Sequence, residues 1–149
     1  MLRDNINNAV KAAMKAGQAR RVSTLRLVNA AIKDRETRAA ERMTLSDAEI
    51  LDVMQKMIKQ REEAAAIYEK AGRSELAAQE REEIEIIAAY LPKRMSDIEA
   101  AEAISVLIRE IEAETLKDMG RTMAALKQRF SGQIDLSRAS ALVKKLLGG

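Results

Sequence analysis

The stretch from residue 46 to residue 92 is SDAEILDVMQKMIKQREEAAAIYEKAGRSELAAQEREEIEIIAAYLP. It opens with Ser46 and Glu49, which form a capping box because each side chain accepts a hydrogen bond from the other's backbone amide. Apolar residues then recur at helical spacing on both sides of Gly72. Pro92 ends the second run because proline lacks the amide proton that a helix needs. The stretch predicts two long antiparallel helices, over about 46–72 and 74–91.

Three charged side chains fall on the apolar stripes of this hairpin. Arg61 lies in line with the buried positions of its first helix, and Glu80 and Glu83 lie in line with those of its second. Since Arg61 comes eleven residues before Gly72 and Glu83 eleven residues after it, an antiparallel hairpin brings them together. We predict an ion pair between Arg61 and Glu83 or Glu80, and the same structural role for Arg21 and Arg26, which lie at or beside the apolar stripe of the preceding helix.

The remaining sequence also has helical periodicity and brings the number of predicted helices to seven. The first spans about 4–16, ends at Gly17, and has the predicted buried residues Ile6, Val10, Ala13 and Met14. The second spans about 19–43, with an apolar stripe that ends at Met43. After Pro92, a second capping box at Ser96 and further starts near 115–118 and at Asp135 predict three shorter helices.

These helices predict an all-α fold in two parts. Residues 1–92 form an N-terminal four-helix unit that contains the long hairpin, and residues 93–149 form a small three-helix tail domain. The composition agrees, because helix-forming residues dominate and only three of the 149 residues are aromatic.

The composition also limits the chemistry. The chain has no cysteine and no histidine, which excludes disulfides, thiolate nucleophiles and imidazole bases. The glycines match no phosphate-binding loop and the carboxylates have no metal-ligand spacing, so we expect no cofactor, no metal and no catalytic residue. The longest apolar run, 86–91, has six residues, too few to span a membrane, and the polar N-terminal residues do not resemble a signal peptide. We expect a cytoplasmic protein.

Charge is distributed unevenly along the chain. Residues 1–42 carry a net charge of +6, residues 43–114 carry −8 and residues 115–149 carry +5, which sum to the total of +3. The candidate anion-binding residues of the last third are Lys117, Arg121, Lys127, Arg138, Lys144 and Lys145. Phosphate is their natural partner. The alternative is that these cations complement helix dipoles and solvate an ordinary surface.

The order of several short motifs resembles the GatB/YqeY family. The motifs are Leu25-Arg26, Lys59-Gln60-Arg61, Ala71-Gly72-Arg73, Tyr90-Leu91-Pro92 and Met119-Gly120, together with Tyr68, Glu80, Glu83 and Met123. The block from Lys59 to Pro92 resembles the stand-alone YqeY-type proteins. The segment from about Ser96 onward resembles the tail domain of the B subunit of the glutamyl-tRNA(Gln) and aspartyl-tRNA(Asn) amidotransferase.

This resemblance implies a two-part helical fold and a tail that helps to hold tRNA. It relates the chain to carbon-nitrogen ligases that use glutamine as amide donor, although the 149 residues contain no counterpart of the kinase-like catalytic domain of the B subunit. The leading hypothesis is a small tRNA-binding or amidotransferase-accessory protein that is not catalytic alone, with tRNA and a protein of tRNA modification or aminoacylation as partners. Two alternatives remain open: a helical protein-interaction module that docks on a partner enzyme, and an enzyme that uses the Arg/Glu cluster.

Overall fold

The computed structural model describes residues 1–39 and 43–148. Within these ranges the chain forms seven α-helices: α1 (Leu2–Lys15), α2 (Ala19–Arg38), α3 (Asp47–Lys70), α4 (Ser74–Ala88), α5 (Asp97–Glu110), α6 (Met119–Phe130) and α7 (Leu136–Gly148), with a 3₁₀ turn at Leu116–Asp118. The described residues contain no strand, which confirms the all-α prediction. The chain divides into two compact units, Met1–Leu91 and Pro92–Gly149, called unit 1 and unit 2 below. None of the described helices is long and apolar enough to cross a bilayer.

The first two helices form a hairpin that turns at Gly17. Gly17 has a left-handed φ of +69°, and the Gln18 N–H donates to the Ala13 carbonyl at 3.0 Å, a bond pattern that commonly ends helices. Of the predicted buried residues in α1, Ile6 and Ala13 are buried and Val10 packs half-buried against the core. The prediction for Met14 is wrong. Its side chain is 54% exposed because it lies about 100° around the helix from Ala13.

α2 ends at Arg38, five residues before the predicted end at Met43. The next residue already has an extended backbone, with φ −62° and ψ 135°. Residues 40–42 lie outside the described part of the chain, and Met43 is half exposed and not helical. The Glu36 carboxylate accepts the Leu45 backbone N–H at 2.7 Å, and this bond lowers the pKa of Glu36. It holds the returning chain against α2, so Leu45 is buried.

The hairpin of α3 and α4 forms around Gly72 as the sequence predicts. At its start the Ser46 hydroxyl accepts the Glu49 N–H and the Glu49 carboxylate accepts the Ser46 N–H, both at 3.2 Å. At the turn Gly72 has a φ of +73°, and the Arg73 N–H donates to the Tyr68 carbonyl at 2.8 Å. The 24 residues of α3 correspond to about 36 Å of helix, the longest in the described chain.

α4 ends at Ala88, three residues before the predicted end at Leu91. The N–H groups of Tyr90 and Leu91 donate to carbonyls three residues back, at 3.1 Å each. These shorter-range bonds tighten the chain, and Pro92 disfavours a helical conformation in the residue before it. The last turn of the predicted helix is therefore not α-helical.

The core of unit 1 receives large apolar side chains from all four of its helices. Its largest fully buried side chains are Ile6, Leu25, Ile32, Ile50, Met54 and Ile87. Burying each of them contributes about 1.5–3 kcal/mol. Their packing fixes both hairpins against each other within unit 1.

Unit 2 has a separate core in which α5, α6 and α7 pack together. Its most deeply buried residues are Ile104 and Leu107 of α5, Leu126 of α6 and Val143 of α7. The predicted capping box at Ser96 is present. The Asp135 carboxylate accepts the Ser137 N–H at 2.9 Å at the start of α7, as its predicted cap.

α5 ends in a left-handed residue that is not glycine. Glu112 has a φ of +56°. The N–H of Ala113 donates to the Ile108 carbonyl at 3.0 Å, and the N–H of Glu112 donates to the Arg109 carbonyl at 3.2 Å. These bonds repeat the geometry that glycine provides after α1 and α3. A residue with a Cβ pays about 1–2 kcal/mol to adopt this conformation.

We expect Glu112→Gly to raise the free energy of unfolding by about 0.5–1 kcal/mol. The relief of left-handed strain exceeds the extra backbone entropy of glycine in the unfolded chain, about 0.5–1 kcal/mol. Urea unfolding of the full chain measures the difference. Glu112→Ala is the matched control, since it removes the carboxylate and keeps the Cβ. An equal gain in both variants would show that backbone strain is not the cause.

Candidate functional site

The Arg61–Glu83 ion pair is present between α3 and α4. Arg61 Nε lies 3.0 Å from Glu83 Oε2, and Arg61 Nη1 donates to the Met57 carbonyl at 3.2 Å. The two side chains are only 13% and 14% exposed. Glu80 is half-buried and makes no ion pair within the described residues, so Glu83 alone pairs with Arg61.

Arg26 does not belong to this pair, and its predicted role in an ion pair is wrong. Its side chain is exposed, and its Nη2 donates to the thioether sulfur of Met14 at 3.7 Å. The physical reason is helical geometry, because Leu25 occupies the core position and the next residue points about 100° away from it. The predicted Arg/Glu cluster therefore reduces to the single pair of Arg61 and Glu83.

Several polar contacts of unit 1 were not predicted from the sequence. Asp52 of α3 is buried, and its Oδ2 lies 3.0 Å from Arg35 Nη1 of α2 and 3.3 Å from Lys56 Nζ. Arg21 Nη2 donates to the Tyr90 hydroxyl at 3.1 Å. The spacing of Asp52 and Lys56 by four residues is the sequence signal that could have indicated the contact between these two residues.

One contact between a hydroxyl and a carboxylate in unit 1, from Ser46 Oγ to Glu49 Oε1 at 3.0 Å, belongs to the capping box at the start of α3. Two of the largely buried charge pairs of unit 1, Arg61 with Glu83 and Arg35 with Asp52, are in direct contact, whereas the buried Nη1 of Arg20 has no hydrogen-bond partner among the described residues. Within the described ranges no three carboxylates lie close enough to hold a metal ion. The Arg61–Glu83 pair joins α3 to α4, and the Arg35–Asp52 pair joins α2 to α3, so both pairs hold neighbouring helices in register.

A double-mutant cycle on Arg61 and Glu83 measures this role. We expect Arg61→Met to lower the free energy of unfolding by about 2–3 kcal/mol, because it leaves a largely buried carboxylate without its partner. Adding Glu83→Met should recover part of the loss, with a coupling energy of about 1–3 kcal/mol in urea unfolding. Additive effects of the two substitutions would contradict a direct interaction.

Among the predicted anion-binding residues of unit 2, the two arginines are in contact with acceptors of their own unit. Arg121 Nη2 lies 3.1 Å from Asp118 Oδ1, and its Nη1 donates to the Ile111 carbonyl at the end of α5. Arg138 lies 3.5 Å from Asp97. Arg121 therefore joins α5 to the start of α6, whereas the Arg138 contact is loose, with its two side chains 76% and 90% exposed.

Three of the predicted lysines form a second group, which we call the lysine cluster: Lys117, Lys144 and Lys145. All three are exposed and make no ion pair with the described residues. The end of α7 lies against the 3₁₀ turn, since a Cβ at Gly148 would be 3.5 Å from the Leu116 side chain. This contact places Lys117 and the last turn of α7 at the same end of unit 2. The remaining predicted residue, Lys127, is half-buried and has a partner.

Asp118 anchors the backbone next to the lysine cluster. Its Oδ2 accepts the N–H groups of Glu114 at 2.8 Å and Thr115 at 3.2 Å. These backbone hydrogen bonds, followed by that from Arg121, lower the pKa of Asp118 to about 2. The ionised carboxylate thus organises the turn between α5 and α6.

Asp118 gives the protein a specific response to acid. Because its pKa is lower in the folded than in the unfolded chain, its contribution is present above the unfolded value of 3.8 and is lost as the pH falls toward about 2. We expect Asp118→Asn to lower the melting temperature at pH 6 and to converge on the parent near pH 2. Thermal unfolding across pH 2–6 checks this. The control is Glu102→Gln, which removes an exposed carboxylate of the same unit; a constant difference between Asp118→Asn and the parent at all pH values would contradict the linkage.

Comparison with known proteins places these features in a family context. The model of the family described as Yqey-like protein matches residues 3–147, nearly the whole chain and both units. A search of curated proteins finds no significant match.

Proposed function

Because the chain belongs to the YqeY-like protein family, we propose that it is a small tRNA-binding accessory protein of a glutamine-dependent amide-forming pathway. In this proposal unit 2 holds the RNA and the carbon-nitrogen ligase chemistry belongs to a partner. Family membership supports the resemblance on which the tRNA connection rests. The observation that carries the proposal is the lysine cluster, whose cations have no carboxylate partner in the described chain.

The lysine cluster has the charge and exposure that phosphate binding requires. A lysine ammonium that is not paired within the protein replaces a condensed counterion on the RNA backbone without first breaking an internal contact. The Arg138 guanidinium can join it, because a 3.5 Å contact between two highly exposed side chains stabilises the protein by about 0–1 kcal/mol. Arg121 stabilises this surface by donating hydrogen bonds to the Asp118 carboxylate and to the Ile111 carbonyl at the end of α5.

The proposed recognition is of backbone and shape rather than of unstacked bases. Single-strand binding proteins stack bases on aromatic side chains, and this chain has only Tyr68, Tyr90 and Phe130. Tyr90 accepts a hydrogen bond from Arg21 in unit 1, and Phe130 packs against the core of unit 2. A folded RNA with duplex arms fits this surface better than an extended strand.

The proposal assigns no catalytic step to this chain. Arg61 and Glu83 of the hairpin are largely buried and contact each other. Their pairing supports a structural role in which unit 1 provides a rigid support. In this proposal a partner protein, bound through the RNA or through unit 1, performs the amide transfer.

The test is the binding of labelled bulk tRNA to the full chain, followed by fluorescence anisotropy over a range of salt concentrations. We expect Lys144→Ala/Lys145→Ala to weaken binding and to reduce the magnitude of the slope of log K against log salt by about one for each lost contact. Lys59→Ala/Lys70→Ala is the matched control, since it removes two exposed lysines of α3 and the same net charge. Equal losses in both double variants would reject the lysine cluster, and no saturable binding by the parent at low salt would reject the proposal.

A further inference from the structure

A surface groove lies in unit 1 where α1 ends and α2 begins, away from the groups assigned above. Its volume is about 690 Å³, and Ala13, Met14, Gly17, Val22, Arg26 and Leu27 contribute to its lining. Met14 is 54% exposed and Leu27 is 48% exposed. Both side chains line the same groove and leave apolar surface there that this chain does not cover.

Arg26 is the charged group of this groove. Its one hydrogen bond to the described protein goes to the Met14 thioether sulfur at 3.7 Å. A thioether is a weak acceptor, and a guanidinium has five N–H donors. The side chain therefore lies against an apolar surface with most of its donors available to a ligand, an arrangement that suits a carboxylate.

The sequence around the groove has a uniform sign of charge. Residues 5–33 contain six lysines and arginines and no aspartate or glutamate. Arg20 and Arg21 contact Glu82 and Tyr90 of unit 1. Lys11, Lys15 and Arg26 make no ion pair within the described residues. The groove thus has a largely apolar lining with one charged side chain, Arg26, and the segment that forms it carries no carboxylate.

We propose that this groove binds an acidic amphipathic helix of a partner protein. Aliphatic side chains on one face of that helix contact Met14, Leu27 and the small residues between them, and a carboxylate beside that face pairs with Arg26. Helices that bind in grooves use anchors at i, i+3, i+4 and i+7. The lining residues Ala19, Ser23, Arg26 and Leu27 present a complementary face of α2 at similar spacing. The proposal does not depend on tRNA binding by unit 2.

The charge and the shape of the groove favour this occupant over RNA or a membrane. An RNA backbone gains nothing from the exposed thioether and leucine side chains, whereas an amphipathic helix buries both. The apolar lining supplies affinity, and the positive charge of Arg26 selects acidic over basic helices.

The probe is a capped helical peptide of about 15 residues, with leucines at i, i+3, i+4 and i+7 and glutamates beside them. The full chain carries ¹³C-methyl methionine, and Met14→Leu assigns the Met14 signal. We expect the peptide to shift this signal saturably. A peptide with lysine in place of glutamate, and one with glutamine in place of leucine, should each bind at least about tenfold more weakly.

Two variants of the groove separate the contribution of charge, from Arg26, from the contribution of apolar contact, from Leu27. Arg26→Glu should weaken the acidic peptide about tenfold or more, and Leu27→Gln should weaken it about fivefold. Arg73→Glu, the same charge change at an exposed arginine outside the groove, should leave the affinity within about twofold. Arg26 and Leu27 are both exposed, so neither variant alters the core.

Four results would overturn the proposal. The first is no saturable shift of the Met14 signal at peptide concentrations up to about 1 mM. The second is equal binding of the glutamate and lysine peptides. The third is a duplex RNA that shifts the Met14 signal at lower concentration than the peptide does, with loss of that effect in Arg26→Glu but not in Leu27→Gln. The fourth is selective broadening of the Met14 signal by anionic vesicles.

Discussion

The antiparallel register of α3 and α4 is the constraint on which the rest of unit 1 depends. It is set by the turn at Gly72, where the backbone is left-handed, and by the contact of Arg61 with Glu83, each eleven residues from that turn. A shift of this register would leave a nearly buried guanidinium beside an apolar side chain, which is costly in a low-dielectric interior. The pair therefore selects one packing of the hairpin, and α1 and α2 pack on the apolar face that this register creates.

Some charged side chains contact acceptors within the protein and have a structural role, whereas others have no such partner among the described residues and are available to a ligand. Most arginines of the described chain contact a carboxylate, a hydroxyl or a carbonyl, as Arg35, Arg61 and Arg121 do. Their planar, multidentate heads join elements to one another. The lysine cluster and Arg26 have no such anion. Both proposed binding surfaces follow from this division, one for phosphate in unit 2 and one for an acidic helix in unit 1.

Several features of the candidate sites follow from sequence spacing alone. The meeting of Arg61 and Glu83 was predictable because both residues lie on regular helices at equal distances from one turn. The role of Arg26 was not, because its partner is set by how α1 crosses α2, and Met14 of α1 is the residue that it meets. The predicted ends of α2 and α4 were also wrong, because both helices end several residues earlier than the sequence pattern indicates. For α2, local helix propensity continues beyond Arg38. The hydrogen bond from the Leu45 N–H to the Glu36 carboxylate instead holds the following segment beside the helix.

The sequence by itself determined the helical class, the two glycine turns, both serine capping boxes and the register of the long hairpin. These depend on interactions within a few residues or on a simple repeat of 3.6 residues per turn. Only the tertiary structure decided which basic residues are engaged and which are available. That distinction depends on carbonyls and carboxylates contributed by other helices, such as Ile111 for Arg121 and Asp97 for Arg138. Their approach is set by the packing of each core, which no local pattern encodes.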